Sequence, residues 1–187
     1  MYLLTIKKFI LYVLSVTLLL CFSSQGHTGV FGFFNKQDFL LSPSIQGRLV
    51  REGKPIAGET ISRRLFYGKE YIDKAVTDSA GYFSFPRWSI STSKPSRMFD
   101  GDSLSQHIYI EQPDSEEFIL WTAQFFFFGD QNSPQLASIF SDLHCDINAT
   151  LTTYDIPTAV NPDKEFVAYT LCEFNFPTVT EATTKEN

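Results

Sequence analysis

Cysteine, histidine and positive charge are all scarce in this chain, and each scarcity removes a class of chemistry. Three cysteines and three histidines are spread over 187 residues. His27, His107 and His144 stand apart, without the H-x-x-x-H spacing or the carboxylate neighbours of a metal site, and no two cysteines form a C-x-x-C pair. No metal and no cofactor is therefore expected. His27 keeps one metal reading, copper chelation together with a free amine, should a leader be cut directly before it. Lysine and arginine total 15 against 21 acidic residues, a formal charge of −6. Such a surface repels phosphate backbones and anionic lipid, so nucleic acid is not an expected partner. There is no G-x-S-x-G nucleophile elbow and no regular D-x-D-x-D calcium series, so Asp78 and Asp102 read as turn residues.

Long apolar runs are missing too, with one qualified exception at the N-terminus. Residues 9–22 are apolar apart from Ser15 and Thr17, follow Lys7 and Lys8, and precede the small or polar Ser23-Ser24-Gln25-Gly26. That order, over residues 1–26, is the pattern of a secretory signal peptide. The stretch is shorter than the roughly 20 residues that span a bilayer, unless the lysines snorkel and residues 2–6 extend it. Three outcomes stay open: cleavage, an uncleaved membrane anchor, or lipid attachment at Cys21, although Leu20 is larger than the residue which that processing favours. Loss of Lys7 and Lys8 would take the charge from −6 to −8. It would also leave two cysteines, Cys145 and Cys172, an even count that in an exported chain suggests a disulfide, with two buried thiols as the alternative.

What the sequence has in abundance is aromatic and alternating. Nineteen Phe and eight Tyr, within 43% hydrophobic and 19% charged residues, suit a strand-built globular core. Strands are expected over residues 45–51, 58–65, 71–77, 82–85, 107–111, 118–128, 143–153 and 166–174, with turns at 52–55, 67–70 and 78–81. Residues 91–105 read as a surface loop and 138–142 as a helical turn. The spacing of strands argues for one antiparallel β-sandwich over residues 45–175, after a lead-in at 27–44 and before a disordered tail at 176–187.

Within that pattern, Gly47 is followed by Gly53, Pro55, Ala57 and Gly58, and then by Thr77-Asp78, Gly81-Tyr82-Phe83 and Phe85. This run, residues 45–86, resembles the first half of the carboxypeptidase-regulatory-like, transthyretin-like β-sandwich domains. More narrowly, Phe33-Phe34-Asn35-Lys36, Leu41-Ser42-Pro43, His144-Cys145-Asp146 and Thr170-Leu171-Cys172 look like a bacterial family of unknown function built on that sandwich. The resemblance implies an all-β fold and a two-cysteine pattern at Cys145 and Cys172. It brings no activity with it. The hydrolases of a purine-derived ring that share the transthyretin-like fold end in Tyr-Arg-Gly-Ser, which this chain lacks.

Gly101-Asp102-Ser103-Leu104 spells the nucleophile block of the GDSL esterases, but the late D-x-x-H is replaced by Asp142-Leu143-His144 and the helical crossovers are missing. Arg63, Arg64, Tyr67 and Lys69 form a basic and aromatic cluster, read as solvated surface or as a ligand contact. Asn148-Ala149-Thr150 is a glycosylation sequon, without meaning in a bacterium. No catalytic set emerges. The expectation is an exported non-enzymatic module of the cell envelope, periplasmic or secreted, that contacts a protein partner. The alternative is an immunity or inhibitor protein against a periplasm-acting toxin or enzyme. Membrane contact is expected only through an uncleaved or lipidated leader.

Overall fold

Alternation with a period of two sets the fold, because each strand sends every second side chain to one face. A computed structural model describes residues 36–92, 103–113, 116–125, 134–157, 165–174 and 180–181. The leader with Cys21, His27, Gly101, Asp102, residues 126–128 and most of the tail lie outside them. The described residues belong to one unit, Lys36–Asn187. They form β1 (Gln37–Ser42), β2 (Ile45–Arg51), β3 (Lys54–Pro55), β4 (Thr60–Phe66), β5 (Glu70–Val76), β6 (Tyr82–Phe85) and β7 (Trp88–Thr92). Beyond these come β8 (Leu104–Glu111), β9 (Glu117–Phe125), α1 (Pro134–Phe140), β10 (Leu143–Asp146), β11 (Thr152–Pro157), β12 (Glu165–Thr170), β13 (Cys172–Glu173) and β14 (Thr180–Glu181).

The protein is all-β with one short helix. A seven-stranded antiparallel sheet runs β14-β11-β12-β9-β8-β4-β5; a five-stranded sheet runs β13-β10-β2, with β3 and β6 both paired to β2; β1 and β7 form a two-stranded ribbon. One core joins them: Leu41 from β1, Leu49 from β2, Ile61 and Leu65 from β4, Phe85 from β6 and Trp121 from β9 are all buried in it. The layout is sandwich-like, with helix α1 adding Leu136, Ile139 and Phe140 to the interior.

Several expectations are redrawn. The sheets are not wholly antiparallel, since β10 lies parallel to β2, with Leu143 opposite Gly47 and Asp146 opposite Val50. A parallel neighbour needs a long connection, and the chain between β2 and β10 is ample. The helical turn expected at 138–142 is the helix Pro134–Phe140. The strand expected over 143–153 is two strands, parted where the Asp146 carboxylate accepts the backbone N–H of Asn148 at 2.9 Å. That expected over 166–174 also breaks, at Leu171, where the chain leaves the seven-stranded sheet for the five-stranded one. The Thr170 hydroxyl sits at the break, donating to the Leu120 carbonyl at 2.8 Å and accepting from the Cys172 N–H at 2.8 Å. Residues 91–92, within the expected loop, end β7, and 104–105 begin β8.

The switch at Leu171 brings Cys172 directly opposite Cys145 on β10, and the two form a disulfide. Both cysteines are buried, so the bond is shielded from solvent reductants. It closes a loop with a sequence separation of 27. In the chain-entropy account this stabilises by about 3.5 kcal/mol. Replacing both cysteines by alanine is expected to lower the unfolding free energy by about that amount. Thiol alkylation in denaturant followed by peptide mass measurement should label Cys145 and Cys172 only after reduction; labelling of either in denatured, unreduced protein would contradict the bond.

Turn chemistry holds the first hairpins. Glu52 and Gly53 both have positive φ, 51° and 75°, as a two-residue hairpin of type I′ requires. At the β5–β6 turn, Asp78 Oδ1 accepts the N–H groups of Ala80 and Tyr82 at 2.8 and 2.9 Å, and Gly81 sits at φ 82°. A Cβ on Gly81 would come within 2.5 Å of the Leu49 carbonyl oxygen, whereas one on Gly53 would meet nothing. Gly81→Ala is therefore expected to cost about 2 kcal/mol or more and Gly53→Ala about 1 kcal/mol. Urea unfolding of the two variants checks the order.

Candidate functional site

Strand alternation separates residues that are neighbours in sequence, and this decides the fate of the basic cluster. Arg63 turns inward and is wholly buried, while Arg64 turns to the outer face of the seven-stranded sheet. Tyr67 is buried with its ring stacked on Phe39, centroids 4.5 Å apart, and the Lys69 ammonium lies 4.9 Å from the Tyr71 ring centroid. The four residues do not form one site. Ser103 precedes β8, where its hydroxyl accepts from Gln124 Nε2 at 2.7 Å, whereas His144 lies on β10 in the other sheet, opposite Glu173. The serine and the candidate base thus belong to different sheets. Asp78 spends its Oδ1 on the turn. Asn148 is exposed on the turn after β10 and donates its side-chain amide to Glu52 Oε1 at 3.2 Å. Among the described residues no group of three or more His, Cys, Asp or Glu is placed to hold a metal ion.

The arrangement that stands out is the outer face of the seven-stranded sheet. Register places Ile72, Arg64, His107, Thr122, Tyr169 and Thr153 side by side, one from each of β5, β4, β8, β9, β12 and β11. Arg64 is fixed by a two-pronged pair with Glu117, one prong Nη2 to Oε2 at 2.6 Å, and lies 4.9 Å above the centre of the Tyr109 ring. Lys74 donates to both oxygens of Glu111, at 2.9 and 3.0 Å, which holds that carboxylate below its usual pKa. Elsewhere the face mixes polar residues, His107, Thr122 and Gln124 among them, with apolar ones. Seven large hydrophobic side chains stay exposed among the described residues, and five of them, Phe66, Ile72, Val76, Val167 and Tyr169, lie here. A groove of about 360 Å³ runs beside His107, Thr122, Gln124, Glu165, Val167 and Tyr169. A second hollow of about 610 Å³, near the β2–β3 turn, is edged by Arg51, Glu59, Glu111 and Asn148.

His107 is the titratable centre of the open face. Its Nδ1 is 3.0 Å from the Thr122 hydroxyl. Burial first, and the Arg64 charge second, push the imidazole below its ordinary value, with Glu117 opposing. At neutral pH the ring is uncharged, so it bonds Thr122 without adding charge to the groove. In the sequence His107 is an isolated histidine, with no neighbour that marks it. Outward apolar positions such as Val167 and Tyr169 were legible as alternation, but the face they share depends on register across six strands.

Residues 45–150 match the family described as Domain of unknown function (DUF6795). The chain belongs to this family. The DUF6795 match spans β2 through β10, and so includes Arg63, Arg64, His107 and Cys145, while Cys172 falls beyond it. No curated protein and no solved structure matches the chain.

The lowered histidine pKa has a signed consequence. The unfolded chain takes up a proton at about pH 6.5, and the folded state resists it, so this contribution to stability is complete above that pH and declines as the pH falls below it. His107→Gln should flatten the acid side of the stability profile. An NMR titration of the imidazole is expected to give a midpoint below the ordinary histidine value; a midpoint above it would be contrary.

Proposed function

We propose that this DUF6795 protein is an exported, non-enzymatic β-sandwich module of the cell envelope, periplasmic or secreted, that docks a protein partner on the outer face of its seven-stranded sheet. The observation that carries the reading is the exposed apolar set Phe66, Ile72, Val76, Val167 and Tyr169 around fixed ion pairs on one face. Phe66, Ile72 and Val76 lie along β4 and β5 and Val167 and Tyr169 along β12, two apolar strips on either side of His107 and Thr122, and exposed apolar groups rimmed by polar residues mark interaction sites. Export is supported by the leader pattern and by a buried disulfide, a bond at home in oxidising compartments. A carboxypeptidase-regulatory-like, transthyretin-like sandwich is supported by the Gly53 and Gly81 turns in their order along the chain. The inhibitor reading is this same proposal with an enzyme as the partner, favoured by the acidic balance of the sequence.

The test is capture from the native envelope with Val167→Lys, whose ammonium would face Asp155 across the strand pair, and Tyr169→Ala as controls. Both positions are outward and part-exposed, so the variants should fold with stability within about 0.5 kcal/mol of the parent. The wild-type protein is expected to retain a specific partner that both variants lose. Recovery of no partner above background, with the protein monodisperse and alone, would overturn the proposal.

A further inference from the structure

β5 ends the seven-stranded sheet, and among the described residues its strand partner is β4 alone. Seven unbroken pairs join the two, from Thr60 opposite Val76 to Phe66 opposite Glu70, with no bulge to twist the edge away. The bonds that flank this ladder involve Thr77, whose N–H reaches the Glu59 carbonyl at 2.9 Å, and Lys69, whose carbonyl accepts from Tyr67 at 3.0 Å. Alternation then turns the N–H and C=O groups of Glu70, Ile72, Lys74 and Val76 away from β4. The space beside that edge is open. A groove of about 630 Å³ lies between Lys74, Ala75 and Val76 on one side and Tyr82, Phe83 and Ser84 of β6 on the other. Val76 and Tyr82 are 61% and 53% exposed.

β5 carries charges of the kind that guard an edge against indiscriminate pairing, Lys74 outward and Asp73 inward, but the outward charges are self-complementary about one residue and so admit one partner strand. We propose that a second copy of this chain adds its own β5 antiparallel to the first, with the two-fold axis at Ile72. Ile72 then faces Ile72 of the partner subunit, with both outward N–H and C=O groups bonded. Glu70 faces Lys74 of the partner subunit, and Lys74 faces Glu70 of the partner subunit. On the inner side, Tyr71 faces Asp73 of the partner subunit, whose carboxylate is already matched by the Arg63 beside it. Registers displaced toward the C-terminal end of β5 are penalised: an axis at Asp73 sets two carboxylates opposite each other, and an axis at Lys74 sets two ammonium groups opposite each other; displacement the other way, to an axis at Tyr71, sets each Ile72 opposite a glutamate. Glu70 is free to engage across the axis, because its own ion pair is loose, 3.7 Å from Arg64 Nε, while Arg64 is held by Glu117. Lys74 donates to Glu111 and keeps further donor capacity. The two outer sheet faces become one continuous surface. This interface uses the sheet edge and shares Ile72 and Lys74 with the docking face proposed above, while Val167 and Tyr169 lie away from it on β12.

Light scattering and sedimentation of protein purified from cells expressing the full-length gene test the pairing. The expected result is a dimer that Glu70→Lys weakens by at least about tenfold in Kd and Lys74→Glu likewise, while the double reversal Glu70→Lys/Lys74→Glu restores it to near the parent value. Ile72→Pro removes an outward N–H that β4 does not use, and should give a folded monomer by circular dichroism. A parent protein that is monomeric at all accessible concentrations would overturn the inference. So would a dimer that survives Ile72→Pro, or one whose weakening in the single reversals is not rescued in the double.

Discussion

A guanidinium with no access to solvent lies at the junction of the three sheets. Arg63 on β4 gives Nε to Asp73 Oδ1 at 2.9 Å and Nη2 to Oδ2 at 2.6 Å, both on β5, and Nη1 to the Ser42 hydroxyl of β1 at 3.2 Å. Its carbon centre lies 4.9 Å from the middle of the Phe85 ring on β6 and 5.4 Å from that of Trp88 on β7. A charge taken out of water must be matched in place, or its desolvation outweighs the packing around it. Seven-stranded sheet, five-stranded sheet and ribbon each supply part of the match. Ser42 shows how tightly the parts are tied: its oxygen accepts from Arg63 and from Gln106 Nε2 at 3.0 Å, and donates to the Pro43 carbonyl.

This inward charge shapes the outward face. With Arg63 committed to the core, Asp73 is drawn inward on β5, and the intervening residues Ile72 and Lys74 turn out. Next to Arg63, Arg64 must emerge on the opposite side, where Glu117 and Tyr109 hold it beside His107. The proposed docking face and the proposed dimer edge both follow from that choice of register. A one-residue slip between β4 and β5 would expose Arg63's partner and bury Lys74.

The local parts of this fold were readable in the sequence. The glycine turns at Gly53 and Gly81, the strands β2, β4, β5 and β6, and the pairing of Cys145 with Cys172 all rest on residues close together in the chain or on counting. What was not readable is nonlocal. The parallel seat of β10 against β2 joins residues about a hundred positions apart, and nothing in Leu143–Asp146 states which edge it will meet. β1 and β7 are short, and each gains its status as a strand from the other. Two adjacent arginines in a strand suggest surface by default, since burial of either is costly; only the spatial arrival of Asp73, Phe85 and Trp88 makes Arg63 an interior residue. The outer row through His107 likewise exists only once five strand registers are set.

A double-mutant cycle on Arg63 and Asp73, read by urea unfolding, measures the central interaction. Asp73→Asn should cost about 3–5 kcal/mol, because it strands the buried guanidinium. Arg63→Met combined with Asp73→Asn should recover a large part of that loss, since no buried charge then remains. Losses that simply add, or an Asp73→Asn variant within about 0.5 kcal/mol of the parent, would contradict the account.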